Sequence, residues 1–242
     1  VVAGLAADGH HVYTCARREE QLETVTAPYP TAHGRVCDVS DEAQVKAFVE
    51  WVQTMTDRVD GLVNVAGGFG VIGPIEQTDS ETWLRTIQVN LFGSYLFIKH
   101  AMPLLARSAD ARILNFSGGG AFSPFPNYSA YACSKSAIVR LTECAAAELA
   151  PRGIAVNGVA PGFLATEAHQ ATLEAGPDLA GSLQFRRASA LMNQGGGEGG
   201  GAIASVVECV KSLLSPETRG LTGKTISVNF DPWRTEVFKK RI

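Results

Sequence analysis

The sequence predicts an α/β protein, a single domain over residues 1–242 built on a doubly wound parallel sheet. Short apolar segments typical of buried strands alternate along the chain with amphipathic helical segments. Of the 242 residues, 45% are hydrophobic and 19% are charged, a composition that supports a large core and argues against disorder. No internal repeat or linker interrupts the alternation.

The predicted elements follow one another in a regular order. A helix end capped by Gly9 precedes a strand over about 11–16, and "GRVCDVS" is the second strand. The helix "DEAQVKAFVEWVQTM" carries an apolar stripe formed by Val45, Phe48, Val49 and Val52. The remaining elements are the strand "DGLVNVAG", a helical stretch over about 80–107, the strand "ARILNFSG", a helix over about 129–150, the strand "GIAVNGVAPG", the helix "ASVVECVKSLLS" and the strand "GKTISVNF".

Two stretches depart from this alternation. Because the sequence opens in the middle of a helix, we expect a first strand and a phosphate-binding turn to precede Val1. Residues 166–201 are polar and turn-rich and end in "GGGEGGG". Long insertions of this kind form lids or disordered loops. We interpret this segment as a flap over a substrate pocket, and a plain flexible loop is the alternative.

Charge, hydropathy and cysteine spacing exclude several classes of function. The net charge of −3 provides no basic field for nucleic acid or for an anionic membrane. No apolar run reaches the roughly 18–20 residues that a membrane span requires. The five cysteines show no metal-ligand spacing, so we expect free thiols in a reducing compartment. The sequence therefore predicts a cytoplasmic protein that binds no nucleic acid, membrane or metal.

A tyrosine and a lysine four residues apart are the first candidates for chemistry. Tyr131 and Lys135, in "YACSK", lie on one face of the predicted helix. A nearby ammonium group favours the phenolate and lowers the tyrosine pKa from its usual value of about 10. Such a pair can exchange a proton with a substrate. The alternatives are a surface pair on an amphipathic helix, or Tyr128, which has no lysine four residues further on.

Five motifs in order along the chain resemble those of the short-chain dehydrogenase/reductase family of the compact single-domain type. They are "CDVSD", "VNVAG", "VNLFG", "YACSK" and "NGVAPGFLAT". The resemblance implies a Rossmann-type fold, a nicotinamide cofactor, a small-molecule carbonyl or alcohol substrate, and a homodimer or homotetramer. The chain departs from the family pattern in two places. The glycine-rich phosphate turn is absent, and the last strand continues into "SVNFDPW" rather than Asp-Gly-Gly.

The resemblance also implies a role for individual residues. Tyr131 would be the acid/base, Lys135 would tune it and hold the nicotinamide ribose, and Asn90 would position a water that relays protons to Lys135. Asp38 would lie near the adenine, and Thr166 near the nicotinamide amide. The other cofactor contacts that it implies are Val39, Asn64, Ala66, Gly67, Pro161 and Gly162.

The end of the first predicted strand indicates which form of the cofactor binds. NAD sites usually carry an acidic residue there, whereas NADP sites use arginine for the 2′-phosphate. In "YTCARREE", Ala16 stands in the place of the acid and is followed by Arg17 and Arg18. A planar guanidinium suits a phosphate because it can donate two parallel hydrogen bonds. We therefore expect NADP(H). If the two arginines are only a solvated pair, NAD(H) is the alternative.

The active-site serine of the family has no direct counterpart. The family places it thirteen positions before the tyrosine, which is Gly118 here, and Ser117 stands one position earlier. Neighbouring residues of a strand face opposite sides, so regular geometry would turn Ser117 away. Our hypothesis is that the glycines after Ser117 allow it to face Tyr131. Ser123 or a backbone N–H is the alternative donor, and without one the chain is a catalytically silent NADP-binding protein that acts as a sensor or assembly partner.

Overall fold

The computed structural model describes residues 1–193 and 197–235, and for residues 197–201 only the backbone. The described strands are β1 (Val12–Ala16), β2 (Ala32–Val36), β3 (Gly61–Asn64), β4 (Arg112–Phe116), β5 (Ala155–Ala160) and β6 (Thr225–Ser227). The helices are α1 (Val2–Ala7), α2 (Glu19–Thr26), α3 (Glu42–Met55), α4 (Ser80–Ile87), α5 (Gly93–Leu105), α6 (Ser129–Leu149), α7 (Glu167–Ala180), α8 (Ser182–Asn193) and α9 (Gly197–Leu214). Most elements lie within a few residues of their predicted positions, although β2 begins and ends earlier than expected.

The strands pair in parallel, as the alternation of strands and helices predicts. In the larger sheet the order is β3-β4-β5-β6, with Asn64 opposite Asn115 and Asn115 opposite Gly158. β1 and β2 form a second parallel pair in which Val12 lies opposite Ala32. Since the carboxyl ends of parallel strands share one edge, the segments that follow β3, β4 and β5 come together there. That edge carries the candidate site.

A gap separates the two sheets. Among the described residues, β1 pairs only with β2 and the outer edge of β3 has no partner. Both strands line a cavity of about 1620 Å³, together with side chains from α3 and α5 such as Phe48 and Phe97. Neither Tyr131 nor Lys135 lines this cavity. The strand expected before Val1 stays a prediction.

The third helix forms as its sequence predicts. The Asp41 carboxylate caps its first turn by accepting hydrogen bonds from the backbone N–H groups of Ala43 and Gln44, at 2.9 and 3.2 Å. The predicted apolar stripe is buried against Leu96, Phe97 and Leu104 of α5. This contact packs α3 and α5 against each other. The buried stripe residues are Val45, Phe48, Val49 and Val52.

The long helix predicted over 80–107 is interrupted at its centre. A π-helical turn, Gln88–Phe92, separates α4 from α5, and Asn90 lies inside it. The backbone of Gly93 lies close to the chain after β2, since a Cβ there would come within 2.8 Å of Val39 Cγ2. Single π-turns inside helices often occur at functional sites. Here the turn directs Asn90 into the protein, where it is 1% exposed.

The segment predicted as a flap is helical rather than irregular. Within it, α7 and α8 cover most of residues 167–193, so a plain flexible loop is not what these residues form. Gly176, with φ of 75°, breaks the helical geometry of α7 immediately before Pro177. α7 packs against the start of α6, where Tyr128 donates a hydrogen bond to Thr172 Oγ1 at 3.1 Å. Residues 194–196 of the predicted segment lie outside the described residues.

A buried chain of polar side chains connects the sheet to the helix that carries the tyrosine. Asn64 Nδ2 donates to Asn115 Oδ1 at 2.9 Å, and Asn115 Nδ2 donates to Thr142 Oγ1 at 3.0 Å. Because these groups are buried, leaving any of them unpaired would cost about 1–3 kcal/mol. The network therefore fixes how β3, β4 and α6 sit relative to one another.

Candidate active site

Tyr131 and Lys135 lie in the first two turns of α6, against the end of β4. Lys135 is 4% exposed, and its Nζ donates a hydrogen bond to the Phe116 carbonyl oxygen at 2.8 Å. The same Nζ lies 5.9 Å from the centre of the Tyr131 ring. The two side chains are therefore neighbours on one buried face. The alternative of an exposed surface pair does not hold for Lys135.

Burial controls the protonation of both groups. Desolvation raises the pKa of Tyr131 to about 12 and lowers the pKa of Lys135 to about 8. Burial of the phenol thus outweighs the effect that the lysine was expected to have on its pKa. Tyr131 keeps its proton at neutral pH and can give it to an acceptor.

Asn90 joins the loop after β3 to the helix that carries the pair. Its Oδ1 accepts from the Gly68 N–H at 3.0 Å, and its Nδ2 donates to the Gly68 carbonyl and to Ser134 Oγ, both at 2.9 Å. Ser134 Oγ in turn donates to the Tyr131 carbonyl oxygen at 2.7 Å. Both amide hydrogens of Asn90 are therefore in use, and the side chain positions its neighbours. Its expected part in a proton relay stays a prediction.

Gly118 lies directly beside the phenol. A Cβ built on Gly118 would lie 1.9 Å from the Tyr131 hydroxyl oxygen and 3.5 Å from Lys135 Cγ. The position that the serine of the resembled family would take is therefore filled by the end of the Tyr131 side chain. Any larger residue at position 118 would require the tyrosine to move.

Ser117 carries a buried hydroxyl. The residue is 3% exposed, and among the described residues its Oγ forms no hydrogen bond. Its backbone N–H donates to Val159 O at 2.8 Å, which continues the β4–β5 pairing one residue beyond β4. Ser117 Oγ is thus not hydrogen-bonded to Tyr131 here, but it has a donor available. Ser123, the alternative, is exposed.

The turn after β3 is open to a cofactor beside the lysine. A Cβ on Gly67 would lie 3.0 Å from Asn90 Oδ1 and 3.2 Å from Lys135 Nζ, so a side chain there would cover the ammonium group. Ala66 and Gly67 are exposed, whereas the Asn64 amide points inward to Asn115. The small residues leave the buried ammonium within reach of a ligand's hydroxyl groups, which fits a nicotinamide ribose.

Charged side chains surround the place expected for the adenosine. The Asp38 carboxylate accepts hydrogen bonds from the Ser40 N–H and hydroxyl, at 3.0 and 2.6 Å, and forms an ion pair with Arg85 of α4. Although partial burial opposes it, these contacts hold the pKa of Asp38 below its usual value. Arg18 donates to Glu167, whereas the Arg17 side chain is exposed and has no partner in the described part of the chain.

The segment after β5 completes the same edge. Gly162 has φ of 81°, and a Cβ there would lie 2.2 Å from Asn229 Nδ2, so both conformation and space favour glycine next to Pro161. Thr166 is the N-cap residue of α7 and accepts the His169 N–H at 2.9 Å through its carbonyl oxygen. Its side chain makes no capping hydrogen bond. Its hydroxyl is therefore not committed to the helix.

Aromatic rings form one wall around the phenol. The Phe69 ring meets the Tyr131 ring edge to face, with centroids 4.8 Å apart, and the Phe125 centroid lies 6.0 Å from that of Tyr131. Phe163 stacks on His169 of α7 at 4.4 Å, and His169 contacts Phe69 at 5.3 Å. α7 and the loop before α6 thus share one apolar cluster next to the candidate acid.

Several of these residues were not identified from the sequence. Arg85, Ser134 and Glu167 each bond to a predicted site residue or to its neighbour, yet Arg85 and Glu167 lie outside the five motifs. Their contacts join residues far apart in the sequence or depend on the packing of α6. Only the position of Ser134 inside "YACSK" could have drawn attention to it.

The described residues were predicted to contain neither a membrane-spanning helix nor a metal site. No helix there is both long and apolar enough to cross a membrane. In the same part of the chain, no three His, Cys, Asp or Glu side chains are grouped as metal ligands would be.

Comparison with known proteins decides the family. A family model described as short chain dehydrogenase matches residues 1–176. The chain belongs to the short-chain dehydrogenase family. The resemblance inferred from five motifs is thereby confirmed, and so is the Rossmann-type α/β fold of this family of oxidoreductases.

The match between this short-chain dehydrogenase and its relatives covers different shares of the relatives' length. The short-chain dehydrogenase/reductase eriH of Hericium erinaceus is 34% identical over 238 residues, which cover 95% of this chain and 90% of the relative. Dehydrogenase/reductase SDR family member 4 of Sus scrofa is 33% identical over 170 residues, covering 69% of this chain and 61% of the relative. The match thus spans less than two thirds of the pig protein.

A solved structure shows the same architecture. A variant of actinorhodin polyketide ketoreductase with NADPH superposes with a TM-score of 0.80 at 28% sequence identity. The superposition covers 94% of this chain and 89% of that one. The arrangement of strands and helices described above is therefore that of an established dehydrogenase fold.

The buried lysine predicts a specific dependence of stability on pH. The pKa of Lys135 is about 8 in the folded protein and 10.5 as its ordinary value. Between these values the unfolded chain binds more protons than the folded one, so the free energy of unfolding rises with pH. Tyr131, whose pKa is raised to about 12, acts in the opposite direction only above about pH 10.

We expect the wild type to gain on the order of 2 kcal/mol relative to Lys135→Met between pH 8 and pH 10. Urea unfolding of the two proteins at several pH values measures this difference. The stability advantage of Lys135→Met over the wild type should be largest at pH 7, where the penalty for burying the ammonium group is fully present. A stability difference that does not change with pH would show that Lys135 has an ordinary pKa.

Proposed function

We propose that this chain is an NADP(H)-dependent oxidoreductase that interconverts a carbonyl and a secondary alcohol on a small, largely apolar organic substrate. The observation that carries the proposal is the buried pair formed by Tyr131 and Lys135, with the phenol beside Gly118 and the ammonium beside Gly67. Family membership supports it. The Tyr–Lys chemistry, the cofactor preference and the substrate class are parts of the proposal.

Proton transfer is the task of the tyrosine. A nicotinamide dinucleotide, when bound, supplies the hydride for reduction or accepts it in oxidation. Reduction leaves negative charge on the substrate oxygen, and the Tyr131 hydroxyl, which is protonated at neutral pH, donates to that oxygen. Charged Lys135 stabilises the phenolate that results. In the oxidation direction, the same phenolate takes the proton of the alcohol.

The residues proposed to hold the cofactor lie along the carboxyl edge of the strands. Lys135 would bind the nicotinamide ribose across Ala66 and Gly67, and Thr166 with Pro161 and Gly162 would face the nicotinamide. Near the adenosine, Asp38 and Val39 lie after β2 and Asn64 supports the turn from behind. Arg17, exposed and without a partner among the described residues, is suited to a 2′-phosphate.

The surroundings of the phenol support an apolar substrate. Phe69 and Phe125 pack on Tyr131, and Phe163 extends this wall to α7. Phe122 is 67% exposed and thus available to a ligand. The ketoreductase with NADPH, which has the same fold, supports carbonyl reduction with a phosphorylated cofactor. No particular substrate follows from these observations.

A homodimer or homotetramer is part of the proposal. Large apolar side chains are exposed on the surface formed by α4, the π-turn and α5, at Leu84, Phe92 and Tyr95. Phe92 and Tyr95 stack on each other with ring centroids 5.7 Å apart. An apolar patch of this kind is typical of a surface that contacts another protein.

The second candidate is a catalytically silent NADP-binding protein. It is favoured by a specific observation, because glycine replaces the family's serine at position 118 and Ser117 Oγ forms no hydrogen bond with any described residue. Measurements of NADPH binding and of NADPH consumption separate the two functions. A silent protein would bind NADPH but consume none with any carbonyl compound offered.

We expect Tyr131→Phe to reduce turnover by about 10²–10⁴-fold, the usual contribution of a positioned acid. The substitution removes one oxygen, so packing against Phe69 and NADPH affinity should be retained. The measurement is NADPH oxidation with a panel of ketones, beside NADPH titration by fluorescence. Tyr128→Phe is the matched control, because it also removes one buried hydroxyl near the site. Undiminished turnover of Tyr131→Phe would refute the assignment.

For Ser117→Ala we expect a loss of activity without a loss of stability. If Ser117 Oγ donates to the substrate oxygen, its loss should lower turnover by about 10²–10³-fold. Removing a buried hydroxyl that has no partner among the described residues should at the same time leave the free energy of unfolding unchanged or raise it by about 1 kcal/mol. Turnover and urea unfolding are measured on the same preparation. Normal turnover would assign the donor elsewhere, and Ser123→Ala then tests the alternative.

Arg17→Glu should weaken NADPH binding far more than NADH binding, because it places a carboxylate beside the 2′-phosphate and NADH has none there. Dissociation constants of both cofactors are compared at fixed salt for the wild type and the variant. Arg35→Glu, which reverses an exposed charge on β2, controls for the change in net charge. Equal losses for the two cofactors, or a wild type that prefers NADH, would contradict the assignment of NADP(H).

A further inference from the structure

An ion pair connects the turn after β1 to the flap helix. Arg18 Nη2 donates to both carboxylate oxygens of Glu167, at 2.7 and 2.9 Å, and Gln21 Nε2 donates to one of them at 3.2 Å. The partners are 149 residues apart in the sequence. Glu167 is the first residue of α7 and follows Thr166 directly. The contact therefore joins the two regions proposed to bind the opposite ends of the cofactor.

The Glu167 carboxylate is bound to the Arg18 guanidinium, a group that would also bind a phosphate. Carboxylate and phosphate both accept hydrogen bonds from the same guanidinium nitrogens. Arg17 has no partner in the described residues, whereas the adjacent Arg18 is already bound to the flap. If a 2′-phosphate arrives near Arg17, it lies next to Arg18, and its negative charge repels the Glu167 carboxylate.

We propose that Glu167 is a specificity-determining residue that competes with the 2′-phosphate of NADP(H) for Arg18. This inference rests on the proposed preference for NADP(H). With the cofactor absent, Arg18 holds the first turn of α7. The phosphate of NADPH takes Arg18 from Glu167 and frees that turn, whereas NADH leaves the ion pair in place. The flap thus responds to the phosphate that distinguishes the two cofactors.

The exposure of the pair limits the size of the effect. The Arg18 and Glu167 side chains are 59% and 78% exposed, and exposed ion pairs contribute little because water and salt screen them. Losing the competitor should therefore strengthen NADPH binding by about two- to five-fold at low salt. The effect should fade as the ionic strength rises.

The experiment compares Glu167→Gln with the wild type in titrations of NADPH, NADH, adenosine 2′,5′-bisphosphate and adenosine 5′-monophosphate. We expect Glu167→Gln to bind the two ligands with a 2′-phosphate two- to five-fold more tightly and the other two unchanged. Glu174→Gln removes the same charge from the same helix without touching Arg18, so it should have no effect. In an Arg18→Gln background, Glu167→Gln should lose its advantage.

Amide hydrogen exchange tests the response of the flap directly. In the wild type, adenosine 2′,5′-bisphosphate should speed exchange of the His169 and Gln170 amides, which donate to the Thr166 carbonyl oxygen in the first turn of α7, and adenosine 5′-monophosphate should not. In Glu167→Gln, exchange there should be fast without any ligand. Unchanged exchange in both cases would overturn the release of the flap.

The titrations distinguish failure of this inference from failure of the proposed function. Wild-type protein that binds the bisphosphate no better than the monophosphate would remove the NADP(H) preference and this inference with it. Wild-type protein that prefers the bisphosphate, together with an unchanged Glu167→Gln, would overturn only the role of Glu167. Weaker NADPH binding by Glu167→Gln would also overturn it, because it would show that Glu167 holds the cofactor in place. Equal effects of Glu167→Gln and Glu174→Gln would show that the change acts through net charge alone, and this would overturn the role of Glu167.

Discussion

Burial of Lys135 under the end of β4 is the constraint on which the rest of the site depends. An ammonium group removed from water must find acceptors, and here the Phe116 carbonyl oxygen provides one at 2.8 Å. This contact fixes the rotation of α6 against the sheet. The rotation in turn sets Tyr131 beside Gly118, and it sets Ser134 where Asn90 can reach it. The site is therefore determined by the docking of one helix.

Glycines make that docking possible at two points. At Gly118 a Cβ would overlap the phenol oxygen, and at Gly67 it would crowd both the lysine ammonium and the Asn90 amide oxygen. Neither position requires an unusual backbone angle in the structure, since neither has a positive φ. Both glycines leave room for the phenol and the ammonium group beside the backbone. The π-turn around Asn90 has a related effect, because it brings a polar side chain into a helix core where it can reach the loop after β3.

The outer part of the site is organised by charge rather than by packing. Asp38 pairs with Arg85, Arg18 pairs with Glu167, and each pair connects a turn after a strand to a helix. These contacts are partly or largely exposed, so salt weakens them and a charged ligand can replace them. The polar chain from Asn64 to Thr142 is different, since it is buried. A rigid inner framework thus carries an outer layer of exchangeable ion pairs.

The sequence by itself determined the family, the parallel fold and the pairing of Tyr131 with Lys135, because these depend on local periodicity and on short motifs. It also predicted the buried stripe of α3, where spacing alone selects the face that packs. Tertiary structure decided the rest. Burial reversed the expected shift of the Tyr131 pKa, and the phenol filled the space beside Gly118. The segment predicted as a flap contains two helices, and Arg18 bonds to the first residue of α7. Desolvation, close approach and long-range ion pairs arise only when distant segments meet, so no local pattern in the sequence records them.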